Sequence, residues 1–386
     1  MRENWRGIIA AIACISIVGT GLSVSFPLLS VMMERAGISA TVNGANTAVG
    51  GLAILFIAPF TSYLVVRIGV VRLLAGSIVL AMLSLVGFYF TAPPWPWFPL
   101  RFLFGVAIGL LFVVSEFWIN ALVHDHRRGF VIGIYGTMLS IGFAAGPAIL
   151  LITGTQGVAP FIAALLLFAI GAVPVVLAGD AAPKVEGRAG GPFLGFLLVA
   201  PVATLAGLVF GAVESAGYSL LPVYGIRLDY TEGQAAMLIT MMALGGVAWQ
   251  IPLGLLSDRM DRRLLLALCG AFSVLGALLM GYFASRIWIA YSLLFLFGGI
   301  VGGLYTVGLA HLGSRFRGAD LAAANAAFVT LYSIGMLIGP ATAGLGMDIW
   351  RPHGFIGVLG LYLLFFTLIA AWRYLHDADA APDAAK

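Results

Sequence analysis

From residue 7 to residue 374 the chain is a succession of apolar runs separated by short charged or proline-rich connectors. A bilayer core of roughly 30 Å takes about 20 apolar residues per helix. Runs of that length force one of two solvents on the chain, a large protein core or lipid. Only 9% of the 386 residues are charged and 61% are hydrophobic, against about 25% charged in an average soluble chain. That is too few charges to cover a water-facing surface, so lipid is the solvent.

Twelve spans are predicted. Their limits are 7–33, 41–66, 71–91, 98–122, 129–152 and 159–179, then 193–224, 232–257, 263–284, 287–312, 321–346 and 354–374. The first is read as a retained span and not a cleaved signal, because its apolar stretch outruns a signal h-region. The expected domains are 1–179 and 193–376, each a six-helix bundle. The linker-like stretch 180–192 lies between them, and 377–386 is a tail expected to be disordered. Fifteen of the 20 Lys and Arg residues fall on the side that carries both termini. The excess of positive charge puts that side in the cytoplasm, with the chain multi-pass in the membrane.

An internal repeat organises these spans. Residues 140–148 read SIGFAAGPA and residues 333–341 read SIGMLIGPA, six of nine identical at an offset of 193. Residues 103–111 (LFGVAIGLL) and 296–304 (LFGGIVGGL) repeat at the same offset, as do Pro59 and Pro252. Pro27 and Pro222 correspond at 195. Matching spans are six apart, so the halves are parallel repeats about an axis normal to the membrane.

These residues carry a resemblance. The run from Gly254 to Arg263, GLLSDRMDRR, resembles the signature between helices 8 and 9 of the major facilitator superfamily. It departs from that pattern at Asp261, where glycine is usual. The first-half copy keeps Arg67 and Gly69 but has Val66 in place of the aspartate. Arg101 with Gly105 and Gly109 resembles the family's helix-4 motif. Gly142, Gly146 and Pro147 resemble its helix-5 antiporter motif, without the trailing glycine pair. The stretch from Glu116 to Asn120 is similar to a YcaD-like bacterial branch. The resemblance covers the whole chain and implies an all-α fold of twelve transmembrane helices in two pseudo-symmetric bundles.

It also implies roles. Gly254, Asp258, Arg259, Arg262, Arg263 and Arg67 would form a cytoplasmic latch. Membrane topology alone accounts for the arginines but not for Gly254 or Asp258. Gly142, Gly146, Pro147 and their mates Gly335, Gly339 and Pro340 would kink helices at the interface between halves. Plain helix packing is the competing reading. Helices 1, 4, 7 and 10 of the family line a central cavity, and four ionisable residues fall on three of them: Glu116 and Arg101 in the fourth span, Glu214 in the outer part of the seventh and His311 in the tenth. Charge in a bilayer is costly, so each is a functional candidate. Glu116 is the leading candidate for proton coupling, with a structural carboxylate as the alternative. Trp118, Asn120, Tyr218, Tyr305 and Thr306 are candidate substrate contacts, although each taken singly also fits packing. A mostly apolar cavity suits an amphipathic solute better than a multiply charged one.

The expected function is secondary transport of a small organic solute, proton-coupled and directed to efflux. A uniporter or proton-coupled importer is the rival, and a membrane receptor or enzyme is the reading from another class. The sequence has no nucleotide-binding loop, Cys/His metal cluster or catalytic triad. No cofactor, metal or nucleic acid is therefore expected. The expected partners are lipid, the solute and protons, and the chain is expected to act as a monomer.

Overall fold

The computed structural model describes residues 5–122, 128–179, 201–316 and 318–376. Twelve long helices follow in chain order: α1 (Trp5–Arg35), α2 (Ala40–Ile57), α3 (Val70–Phe90), α4 (Trp97–Leu122), α5 (Arg128–Thr153), α6 (Ala159–Leu177), α7 (Pro201–Ile226), α8 (Glu232–Ser257), α9 (Arg262–Phe283), α10 (Ile287–Arg315), α11 (Gly318–Ile349) and α12 (Gly354–His376). Among the described residues there are no strands. Eleven helices among the described residues are long and apolar enough to cross a membrane. The twelfth, α5, carries a shorter apolar stretch, Thr137–Thr153. The linker 180–192 and the tail 377–386 lie outside the described residues, as does the start of the seventh span before Pro201.

Burial sorts the helices by solvent. The most apolar of the described spans, α6, has only 28% of its most apolar 18-residue window buried, whereas α1 has 72% and the described part of α7 has 78%. In water the most apolar helix would be the most buried, because apolar surface drives burial. Here α6 faces outward into hydrocarbon, and α1 and α7 occupy the centre.

One expected span is broken. The second was read as continuous over 41–66, but α2 ends at Ile57 and a 3-10 turn at Ala58–Phe60 leads into a short helix, Thr61–Ile68. Pro59 sits in that turn and has no N–H to donate. The Thr61 N–H turns to the carbonyl of Ala58, and the Thr61 hydroxyl donates to the carbonyl of Ile57 at 3.1 Å. Gly69, at φ 88°, then lets the chain reverse into α3. Pro252, the mate of Pro59, is held inside the unbroken α8.

The repeated glycines pack the same way in both halves. A Cβ on Gly142 or Gly146 would run into α1, at Ser16, Gly19 and Ser23. A Cβ on Gly335 or Gly339 would collide with the carbonyls of Leu208 and Ala212 on α7. Ser23 donates to the carbonyl of Gly142 at 2.9 Å, and Ser215 donates to that of Met336 at 3.4 Å. The glycines thus join α5 to α1 and α11 to α7, inside each half. The opposite side of α11 meets the other half, where the Pro340 carbonyl abuts Gly44 of α2. Pro147 and Pro340 both lie inside their helices.

Candidate functional site

Each end of the helical bundle can be named by the chain. The terminal face is where α1 begins and α12 ends, and the far face is opposite.

The far face carries a network of charges that joins the halves. Arg227, just past α7, donates from Nε to Glu34 Oε1 at 2.8 Å and from Nη2 to Glu34 Oε2 at 3.0 Å. Its Nη1 donates to Asp348 Oδ1 at 3.1 Å. Burial works against the Arg227 charge, and the bonds and charges of Glu34 and Asp348 outweigh it, holding the guanidinium above its ordinary pKa. Asp348 also accepts from the backbone N–H of Ala40 and Thr41, at 3.2 and 2.8 Å, and from the Thr41 hydroxyl at 2.8 Å. A carboxylate from α11 therefore caps the positive end of α2. Arg35 pairs with Glu232 at the start of α8 and donates to the Thr155 carbonyl at 2.7 Å. Thr155 in turn donates to Glu232 Oε2 at 2.7 Å.

Nearer mid-membrane, Glu214 lies on α7 about three turns before the helix's far-face end at Ile226. Its Oε2 accepts from the Tyr332 hydroxyl of α11 at 2.6 Å. Glu116 is surrounded by protein yet accessible, as a side chain lining a recess is. It reaches across the halves, because the Tyr305 hydroxyl of α10 is within electrostatic range of both Glu116 and Glu214. Tyr135 of α5 lies in range of Glu116 as well and shares a hydrogen bond with Ser115, 2.9 Å. Phe210 completes the wall, with ring centroids 5.3 Å from Tyr305 and 5.9 Å from Tyr332. Tyr218 packs against Phe143 across the halves at 5.4 Å.

The other candidates stand apart from this recess. Arg101 is buried between α1, α2 and α4, with its guanidinium 5.0 Å from the Phe26 ring and long contacts to Ser25 and Thr47 at 3.4 and 3.5 Å. His311 is buried at the terminal-face end of α10, in range of Arg315, Arg263, Asp261 and Arg262. Trp118 is fully buried in the core. Thr306 is half-buried beside Tyr305, and the side chain of Asn120 lies outside the described set.

On the terminal face, Asp258 is the C-cap of α8 and pairs with Arg262 one turn on, at 3.4 Å. No atom approaches a Cβ placed on Gly254 within 4 Å, so the expected close helix approach is not made there in this conformation. Arg259 is exposed. Asp261, where the family has glycine, is the N-cap of α9 and accepts from the N–H of Arg263 at 2.7 Å and of Leu264 at 3.3 Å. Arg67 donates to Tyr63 on its own short helix at 2.6 Å.

Sequence reasoning missed Tyr332, Tyr135, Phe210 and the far-face network. Tyr332 left one sign: it immediately precedes the repeated SIG motif, where the first half has Leu139.

The family description Major Facilitator Superfamily matches residues 11–249 and 226–386. The chain belongs to the Major Facilitator Superfamily. A relative in Bacillus subtilis (strain 168), the uncharacterized MFS-type transporter YfkF, is 28% identical over 94% of this chain and 92% of its own length. The MFS-type transporter YcaD of Salmonella typhimurium (strain LT2) is 24% identical over 82% of this chain and 80% of its own. Solved structures share the fold. A D-xylose–proton symporter superposes with a TM-score of 0.77 at 13% identity, covering 97% of this chain and 98% of that one. The nucleoside transporter NupG superposes with 0.74 at 13% identity, covering 97% and 99%. A major facilitator chain with these helices is a multi-pass membrane transporter of a small solute, not an enzyme.

Proposed function

We propose that this major facilitator protein is a proton-coupled carrier that exports a small organic solute across a bacterial inner membrane, with both termini in the cytoplasm. The observation that carries the reading is the meeting of Glu116, Glu214 and Tyr305, from α4, α7 and α10, in one recess between the halves. Intramembrane carboxylates are expensive and mark ion or substrate paths. A carboxylate hydrated when its recess is open and occluded when it is closed changes its proton affinity between the two states. That change lets a proton gradient drive the cycle. The ion pairs Glu34–Arg227 and Arg35–Glu232 close the far face. The accessibility of Glu116 then supports a recess open toward the terminal face, the cytoplasmic side by the distribution of Lys and Arg. The halves 1–179 and 193–376 would rock about the recess, and the Asp258 loop would close the terminal face in the opposite state.

Proton-coupled import is the second reading. The D-xylose–proton symporter among the structural neighbours fits it as readily as export. Flux in proteoliposomes, with a pH gradient imposed in each sense, decides between them. Wild-type protein should move solute only with the gradient of the correct sense. Glu116→Gln should lose pH-driven flux and retain counterflow exchange. Full pH dependence in this variant would remove the coupling assignment.

A further inference from the structure

Phe210 and Glu214 lie one turn apart on α7 and share a face. Tyr305 and Tyr332 stand edge to face at 6.0 Å, and both rings pack on Phe210. The Tyr332 hydroxyl takes one lone pair of Glu214 and fixes the carboxylate against this aromatic wall. A carboxylate has about four acceptor positions, so others stay free. Among the described residues, a phenol and no Lys or Arg meets the Glu214 charge. Glu116 adds a second carboxylate from the other half, within range of the same Tyr305. Arg101, buried among the described helices of the first half, lies against Phe26, Ser25 and Thr47 and not against Glu214.

We propose that this recess selects an organic cation, with its charge held by Glu214 and its apolar body laid on Phe210, Tyr305 and Tyr332. Each part of the site favours that chemistry. Aromatic faces attract cations through their quadrupoles, most strongly when desolvated. An anion would meet two carboxylates. A neutral polyol would need a ring of hydrogen-bond partners, and this wall is mostly ring carbon. A proton on Glu214 removes the charge that holds the cation, so proton and cation compete for one carboxylate. That competition ties their movements in opposite directions. Its meaning for transport rests on the carrier reading, whereas the binding site itself does not.

The test is equilibrium binding to the purified full chain of two labelled cations, tetraphenylphosphonium and the smaller benzyltrimethylammonium. Tetraphenylborate, of the same shape as the first and opposite charge, serves as competitor. At least one cation should bind saturably, and tetraphenylborate should not displace it. Glu214→Gln should weaken binding by at least about tenfold, and Tyr305→Leu by several-fold. Unchanged melting temperatures will show that the variants are folded, and Tyr332→Phe, which keeps the ring, provides a second variant if Glu214→Gln is unstable. The proposal is overturned if neither cation binds saturably, if tetraphenylborate competes equally, or if folded Glu214→Gln binds as wild type does. Flux in proteoliposomes separates this from the carrier reading. Cation binding without any flux would keep the site and remove the carrier. Flux of a neutral or anionic solute without cation binding would keep the carrier and remove the site.

Discussion

Glu34 and Arg227 are 193 residues apart and form a two-pronged ion pair between the halves. They stand at the far ends of α1 and α7, which the near-twofold relation of the halves brings face to face. At the offset of 195 that Pro27 and Pro222 set for these helices, the mate of Glu34 is Asp229 and that of Arg227 is Met32, so the pair joins non-matching positions. Asp348 and Thr155 are mates at the offset of 193, and each bonds to the start of a helix in the opposite half, α2 and α8 respectively. The duplicated scaffold thus supplies the juxtaposition, and divergence supplies the chemistry.

Removing Arg227 should cost more than removing either partner. Its loss leaves Glu34 without its ion-pair partner and Asp348 with only its bonds to Ala40 and Thr41, a penalty on the order of 3 kcal/mol. Glu34→Gln leaves the Arg227–Asp348 pair in place and should cost about 1 kcal/mol. Thermal denaturation of the purified protein should order the variants so. Adding Glu34→Gln and Asp348→Asn to Arg227→Gln should recover much of the loss, which additive effects would not do.

Asp261 replaces the family's glycine, and its carboxylate holds two N–H groups at the start of α9. Asp261→Ala should destabilise by about 1 kcal/mol and Asp261→Asn by much less, because asparagine caps nearly as well. Asp258→Asn should leave the melting temperature near that of wild type, since its exposed pair with Arg262 is worth little. Its effect, if the latch operates in the opposite state, should fall on transport.

Gly339→Ala should sharply reduce the yield of folded protein in fluorescence-detected size exclusion, because the added methyl collides with the Ala212 backbone. Gly254→Ala meets open space and should fold normally. A Gly254→Ala protein that folds but transports slowly would place the close approach at Gly254 in the other conformation.

The twelve spans and the offset were legible because the bilayer demands long apolar helices and the duplication preserved its glycines. The break at Pro59 was not, since Pro252 in the same repeat position leaves α8 whole. The glycine partners were hidden because a small-residue stripe shows that something packs closely without naming it. Glu116 and Glu214 stood out as charges inside apolar runs. Glu34, Arg227 and Asp348 did not, because charges at the ends of spans read as ordinary topology. Their pairing appears only when the two halves are placed together.

Spin labels at Val158 and Ser285, exposed far-face positions in different halves, offer the most direct measurement of alternating access. Their distance distribution should be short in wild type. It should gain a longer population in Arg227→Gln, where the far-face pairs are lost. A single unchanged distance in both proteins, in proteoliposomes that transport solute, would contradict a far face that opens when Glu34 and Arg227 part.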